Sequence, residues 1–304
     1  MADTALSKTG TIRVTRAAAG GIGVEPGVMR RDPSDIIKVD DRYYVWYSKG
    51  KGSSGYDATI WYASSLDGRH WTEEGQALGR GGPDSWEGAS VFTPNILIAE
   101  GRYWLFYTGT SKAFVRPFRP DSKIGVAVAD SPDGPWQRIR SNPVLSNSDN
   151  REEFDSHLVD DACLIVRDGR YWLYYKGRQL GKSPHQTKMG LAIADQPQGP
   201  YVKHESNPVI PGNHAVLAWP QEGGVAAMID RVGPREITNS ILFATDGVNF
   251  SKTHSVIDGP VAGGAYRPEA FTDSGAGARP VWGVEIRHKK PQLPCIGRFD
   301  LEEE

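Results

Sequence analysis

Only two cysteines, Cys163 and Cys295, occur in 304 residues. That is too few for a disulfide framework, so two buried thiols in a reducing compartment are expected. No apolar run approaches the roughly 20 residues of a membrane span. The opening MADTALSKTGTIRVTRAAAGG has no apolar core of signal-peptide length. A cytoplasmic location is therefore expected, or a periplasmic one if a leader has been trimmed. An excess of charge is missing too. Thirty-five Lys and Arg face 37 Asp and Glu, a net charge of −2, which creates no field for nucleic acid or anionic lipid. The sequence has no GxxxxGK[ST], HExxH, GxSxG or CxxC, and its seven histidines show no metal-ligand spacing. P-loop and zinc-hydrolase chemistry thus have no carrier here, and no metal site or cofactor is expected.

Glycine and proline are abundant instead, at 35 and 21 residues, and aromatics make up 10%. Such punctuation suits an all-β chain of many short strands. A repeat organises it. DIIKVDDRYYVWYSKG, NILIAEGRYWLFYTGT, CLIVRDGRYWLYYKGR and, more weakly, VLAWPQEGGVAAMID each read as strand, polar hairpin and alternating strand. A second signature follows each: IWYASSLDGRHW, IGVAVADSPDGPW, MGLAIADQPQGPY and ILFATDGVNF. There a strand enters an Asp/Gly/Pro turn and an aromatic opens the next strand. A degenerate fifth copy, YRPEAF, PVWGVEI and PCIGRFDL, lacks a fourth strand. Five such units predict a five-bladed β-propeller over residues 29–304. Residues 1–28 form an N-terminal extension whose Thr11–Val14 can supply the missing strand and close the ring.

The repeat serves as a ruler. Counting back eleven residues from Tyr43, Tyr171 and Val225, which open the second strands, gives Asp32, Asp160 and His214. The same count from Tyr103 gives Phe92, and RPEAF places Glu269 nearby. Two carboxylates and a third acid–base group at one register, converging on the axis, are the equipment of glycoside hydrolysis. Capping of turns by Asp and His is the structural alternative. Asp35 and Asp161 alternate out of register and become site members if a bulge intervenes. Trp86, Glu87, Thr93 and Asn95, in DSWEGASVFTPN, suit sugar stacking and hydroxyl recognition. Lys176 and Arg178 can contact a sugar or fix a carboxylate, and His185 lies in a loop that can reach the pocket rim. Trp104, Tyr107, Trp172 and Tyr175 read as blade core.

RRDPSDIIKVDDRYYVWYS, SVFTPNILIAEGRYWLFYTGTS, VDDACLIVRDGRYWLYYKGR, TKMGLAIAD and NHAVLAWP together resemble glycoside hydrolase family 117. The resemblance spans roughly Met29 to Arg287. It implies a five-bladed propeller acting as an inverting exo-α-1,3-(3,6-anhydro)-L-galactosidase on short agar oligosaccharides. It further implies Asp32 as general base, Asp160 or Asp161 as the second acidic residue and His214 as general acid. The fold admits a structural cation at the axis, and the family's N-terminal exchange suggests a homodimer. Two departures stand out. The family pattern has Glu after the catalytic His, where this chain has Ala215, and AAAGGIG makes no convincing helix pair for that exchange. A propeller glycosidase of arabinofuranosidase or xylosidase type, or a non-catalytic sugar-binding propeller, are the alternatives.

Overall fold

The computed structural model describes residues 10–52, 57–114, 121–288 and 290–304. It is a five-bladed β-propeller. An N-terminal strand β1 (Gly10–Ala18) precedes blade one, which comprises β2 (Met29–Arg31), β3 (Ile37–Val39), β4 (Arg42–Gly50), β5 (Ala58–Ser65) and β6 (Trp71–Leu78). Blade two holds β7 (Ser90–Ala99), β8 (Arg102–Thr110), β9 (Lys123–Ala129) and β10 (Gln137–Arg138). In blade three are β11 (Leu158–Arg167), β12 (Arg170–Arg178), β13 (Lys188–Ala194) and β14 (Val202–Lys203). Blade four has β15 (Leu217–Gln221), β16 (Gly224–Ile229), β17 (Ser240–Ala244) and β18 (Ser251–Ile257). Blade five has β19 (Gly264–Ala265), β20 (Trp282–Arg287) and β21 (Cys295–Glu303).

Strands buried on both faces cannot alternate apolar with polar residues, and the central strands here do not. In β8, Trp104 and Phe106 pack into the layer between blades two and three, while Leu105 and Tyr107 enter the layer between blades one and two. In β12, Leu173 and Tyr175 face blade two, and Trp172 and Tyr174 face blade four. Each seam between blades thus owns an apolar cluster, and no blade could bury both its faces alone. The aromatics read as blade core are blade core. Both cysteines are buried thiols.

Closure uses the N-terminus as expected. β1 pairs antiparallel with β21, from Ile12 opposite Glu303 to Ala18 opposite Gly297. Its other edge pairs in parallel with β18, from Gly10 opposite His254 to Arg13 opposite Ile257. Blades four and five thereby merge into one eight-stranded sheet. Residues 1–9 of the N-terminal extension lie outside the described residues. The reading of YRPEAF as a strand is corrected. Only Gly264 and Ala265 form β19, and Pro268–Phe271 make a turn of 3-10 helix. Pro268 has no N–H to donate to a ladder, which favours a turn there.

Candidate active site

The innermost strands open on the axis through left-handed residues. Asp32 (φ 49°), Thr93 (φ 44°), Asp161 (φ 50°) and Ala262 (φ 44°) stand at the axial ends of blades one, two, three and five. For residues with a Cβ this conformation costs on the order of 1 kcal/mol or more. In blades two and three it coincides with a bulge, between Phe92 and Asn95 and between Asp160 and Cys163. A bulge re-aims side chains, and these four residues line both levels of one axial funnel.

The upper level, of about 420 Å³, is also lined by Arg31, Lys176, His214, Arg231 and His288. The deeper level, of about 330 Å³, adds Asp35, Asn95, Ala215, Val216 and Gly263. Asp32 is buried, and its Oδ2 accepts a hydrogen bond from Arg31 Nε at 2.8 Å. Asp161 pairs with Lys176 Nζ, which also lies 3.3 Å from Asp160 Oδ2. Asp160 itself is fully buried behind the wall. Its Oδ1 accepts from Thr93 Oγ1, Thr108 Oγ1 and the Asp161 N–H, each at 2.8 Å.

The ruler therefore slips by one residue in blade three. Arg31 pairs with Ser48 and Ile37 with Tyr44, whereas Asp160 pairs with Lys176 and Ile165 with Trp172. The inner chain of blade one is one residue longer over the same span. The position equivalent to Asp32 is thus Asp161, with Thr93 in blade two, and Asp160 is the anchor behind it.

Beneath the funnel, groups from all five blades close the axis. Asp35 Oδ1 accepts from the Ala265 N–H at 2.9 Å, and Oδ2 accepts from Asn95 Nδ2 at 3.0 Å. Arg267 Nη2 lies 2.5 Å from Asp35 Oδ2, and Arg267 Nη1 donates to the Ala218 carbonyl at 2.8 Å. Cys163 Sγ accepts from the Ala218 N–H at 3.3 Å and lies 3.8 Å from Asp35 Oδ2. Burial, offset in part by Arg267, pushes the Cys163 thiol up to about 12, so it stays protonated. Burial also opposes the charge of Arg267, and the Asp35 carboxylate more than offsets this. The result is a blind pocket.

Several expected contacts lie elsewhere. Trp86 stacks on Tyr107, with ring centroids 6.0 Å apart, and fills space beside Gly109 and Gly125. Glu87 is buried against Arg138 Nε at 2.8 Å. Both brace blade two, because their loop folds back onto β8 and β9 and away from the axis. Arg178 is buried on β12 and His185 is exposed on a single 3-10 turn, and neither lines the funnel. Glu269 lines a separate cavity with Trp219, Tyr266 and Arg279, since its 3-10 turn carries it off the axis. Arg31, Arg231, His288 and Arg267 were not singled out. Arg31 and Arg267 had a signal, as basic neighbours in RRDP and YRPEAF.

Burial first, and then the charge of Asp160, push the Asp161 carboxyl up to about 7; Lys176 opposes this and Asp32 adds to it. Its side chain is only 15% exposed. The sign of the consequence is definite. Between about pH 4 and pH 7 the folded chain holds a proton here that the unfolded chain has released, so this group's contribution to stability falls as pH rises through that window. An amide mimics the protonated form. Asp161→Asn is expected to raise the melting temperature relative to wild type more at pH 8 than at pH 5. The difference should be at least about 2 °C, the shift that roughly 1 kcal/mol produces in a chain of this size. Equal changes at both pH values would refute the coupling.

Comparison with known proteins places this geometry. Residues 27–163 match the family model for glycosyl hydrolases family 43. Among solved structures, the chain is similar to Zg3597, a family 117 glycoside hydrolase produced by the marine bacterium Zobellia galactanivorans. Identity is 31% and the TM-score 0.86, over 96% of this chain and 90% of that one. Among curated proteins it is 30% identical over 173 residues to an arabinoxylan arabinofuranohydrolase of Bacillus subtilis, and 24% identical over 219 residues to an extracellular endo-alpha-(1->5)-L-arabinanase of Thermotoga petrophila. The matches cover 53% and 62% of this chain but only 32% and 41% of those proteins. With a five-bladed propeller, a blind axial pocket lined by carboxylates and a near full-length match to a family member, the chain belongs to glycoside hydrolase family 117 and is a glycosidase.

Proposed function

We propose that the chain is an exo-acting, inverting glycosidase that releases a terminal 3,6-anhydro-L-galactose-like residue from short oligosaccharides. The observation that carries this reading is the convergence of Asp32, Asp161 and His214 on one funnel whose floor is sealed by the Asp35–Arg267 layer. A sealed pocket admits a chain end and not the middle of a polymer.

In this mechanism Asp32 accepts a proton from a water molecule as that water attacks the anomeric carbon. Arg31 holds the carboxylate in place by its 2.8 Å hydrogen bond. The bond from the anomeric carbon to the glycosidic oxygen breaks, its electron pair stays on that oxygen, and the His214 imidazolium supplies the proton that completes the departing hydroxyl. Asp161, protonated up to about neutral pH, donates a hydrogen bond to a sugar hydroxyl, with Lys176 fixing its position. Ala215 lines the deeper level, and in this reading His214 acts without the glutamate of the family pattern.

The family 43 match and the arabinofuranohydrolase relative favour a second reading, in which the released sugar is an L-arabinofuranosyl unit. End-labelled neoagaro-, arabinoxylan and arabinan oligosaccharides separate the two, with products read by mass spectrometry and the first-formed anomer by proton NMR. One sugar leaving the unlabelled, non-reducing end of the neoagaro series with inverted configuration is the expected result. Internal cleavage or retention would overturn the proposal, and turnover of the arabinose-containing series alone would select the second reading.

A further inference from the structure

Every basic group deep in the funnel has an acidic partner. Arg31 is engaged by Asp32, and Lys176 by Asp160 and Asp161. Arg231 differs. It is exposed at the mouth and, among the described residues, makes no hydrogen bond and no ion pair. His288 stands at the same mouth. Burial, Arg31, Arg231 and Lys290 all work against a proton on its ring, and Asp32 alone favours one. The mouth is therefore a place where positive charges crowd one another.

A second hollow, of about 710 Å³, adjoins the funnel and shares Arg231 and Val261 with it. It runs over the seam of blades four and five and is walled by Arg16, Asp230, Asn239, Asp258, Gly259 and Pro260. Arg16 is already engaged there, by Glu285 at 2.8 Å and by the Asp258 and Gly259 carbonyls at 2.5 and 3.1 Å. Asp230 accepts the Val232 N–H at 2.9 Å, and burial raises its pKa. Asn239, Asp230 and Asp258 offer hydroxyl-binding groups. Arg231, at the junction of hollow and funnel, acts on the nearby Asp230 by charge alone and, among the described residues, makes no hydrogen bond, which leaves its planar fork available to a paired-oxygen anion.

We propose that Arg231 is a specificity-determining residue that binds an anionic substituent, a carboxylate or a sulfate ester, on the sugar adjoining the bond to be cleaved. This rests on the axial funnel being the hydrolytic site. The preferred substrates are then acidic oligosaccharides, whose neutral terminal residue enters the funnel while the charged neighbour lies across the blade four–five seam; neutral ones are turned over with weaker binding.

Calorimetric titration tests this without requiring turnover. Galacturonate, galactose 6-sulfate and galactose are titrated into the wild-type chain, Arg231→Gln and Arg231→Lys. At least one anionic sugar should bind the wild type about tenfold or more tightly than galactose, the effect of one charge-assisted hydrogen bond. Arg231→Gln should lose that gap and Arg231→Lys should keep part of it. Which anion shows the gap identifies carboxylate or sulfate. Equal binding of all three sugars by the wild type, or a gap surviving in Arg231→Gln, overturns the proposal. Hydrolysis by Asp32→Asn in the oligosaccharide assay is read alongside. Retained turnover there condemns the funnel as hydrolytic site, whereas lost turnover with equal sugar binding condemns only the role of Arg231.

Discussion

Replacing Asp32 by Asn is expected to lower kcat by about 10²- to 10⁴-fold, the range ordinarily supplied by a positioned general base. The substitution is nearly isosteric, and the amide oxygen can still accept the hydrogen bond that Arg31 Nε now gives at 2.8 Å. The left-handed backbone at this position, φ 49°, suits Asn as well as Asp. Fold and sugar binding should therefore persist, with KM within a few-fold, while acceptance of the proton from water is lost. His214→Ala should fall by a comparable factor for a different reason, losing the proton donor to the leaving oxygen. Asp160→Asn provides the contrast. Its carboxylate is fully buried and holds Thr93, Thr108 and Lys176, so its loss should appear first as reduced melting temperature. Steady-state kinetics with circular dichroism on the three variants separate these outcomes. Wild-type kcat in Asp32→Asn would remove Asp32 from the mechanism.

Arg267→Met is expected to destabilise the chain by about 3–5 kcal/mol, the cost of leaving one member of a buried ion pair without its partner. The side chains of Arg267 and Asp35 are each only 2% exposed. Asn95 and the Ala265 N–H still donate to Asp35 in the variant, but no countercharge remains, and the Ala218 carbonyl keeps only the weak Cys163 thiol donor at 3.6 Å. At roughly 2–4 °C per kcal/mol for a chain of this size, the melting temperature should fall by about 6–20 °C. Adding Asp35→Asn removes the stranded charge, so the double variant should be more stable than Arg267→Met alone, a coupling that a double-mutant cycle reads directly. A loss below about 1 kcal/mol in Arg267→Met would show that the axial layer is held by packing and not by its ion pair.

The five-blade repeat was legible because each central strand carries apolar residues on both faces, and stretches such as YWLFY and YWLYY advertise burial from two sides. The closing strand was legible from a deficit, a last blade one strand short. Asp32 and His214 could be placed at the funnel by counting. Asp161 could not, because the lengths of inner-strand bulges differ between blade one and blades two and three, and nothing in the residue types marks the difference. Trp86 and Glu87 looked like sugar contacts by composition. Their true neighbours, Tyr107 and Arg138, become adjacent only when the loop folds back. In YRPEAF the carboxylate of Glu269 is the more conspicuous group, but around the one-turn helix it is Arg267 that meets Asp35, while Glu269 accepts from Thr272.

The placement of β1 between β18 and β21 has a consequence for biosynthesis. Val14 leaves the ribosome well ahead of its partner Leu301. At about 5–20 residues per second, roughly 15–60 s separate the two. Blades one to three can assemble on the nascent chain in order, since their strands are contiguous, while β1 waits for β18 and β21 of the last two blades. The ring is thus completed by a strand made well before the partner that locks it in place.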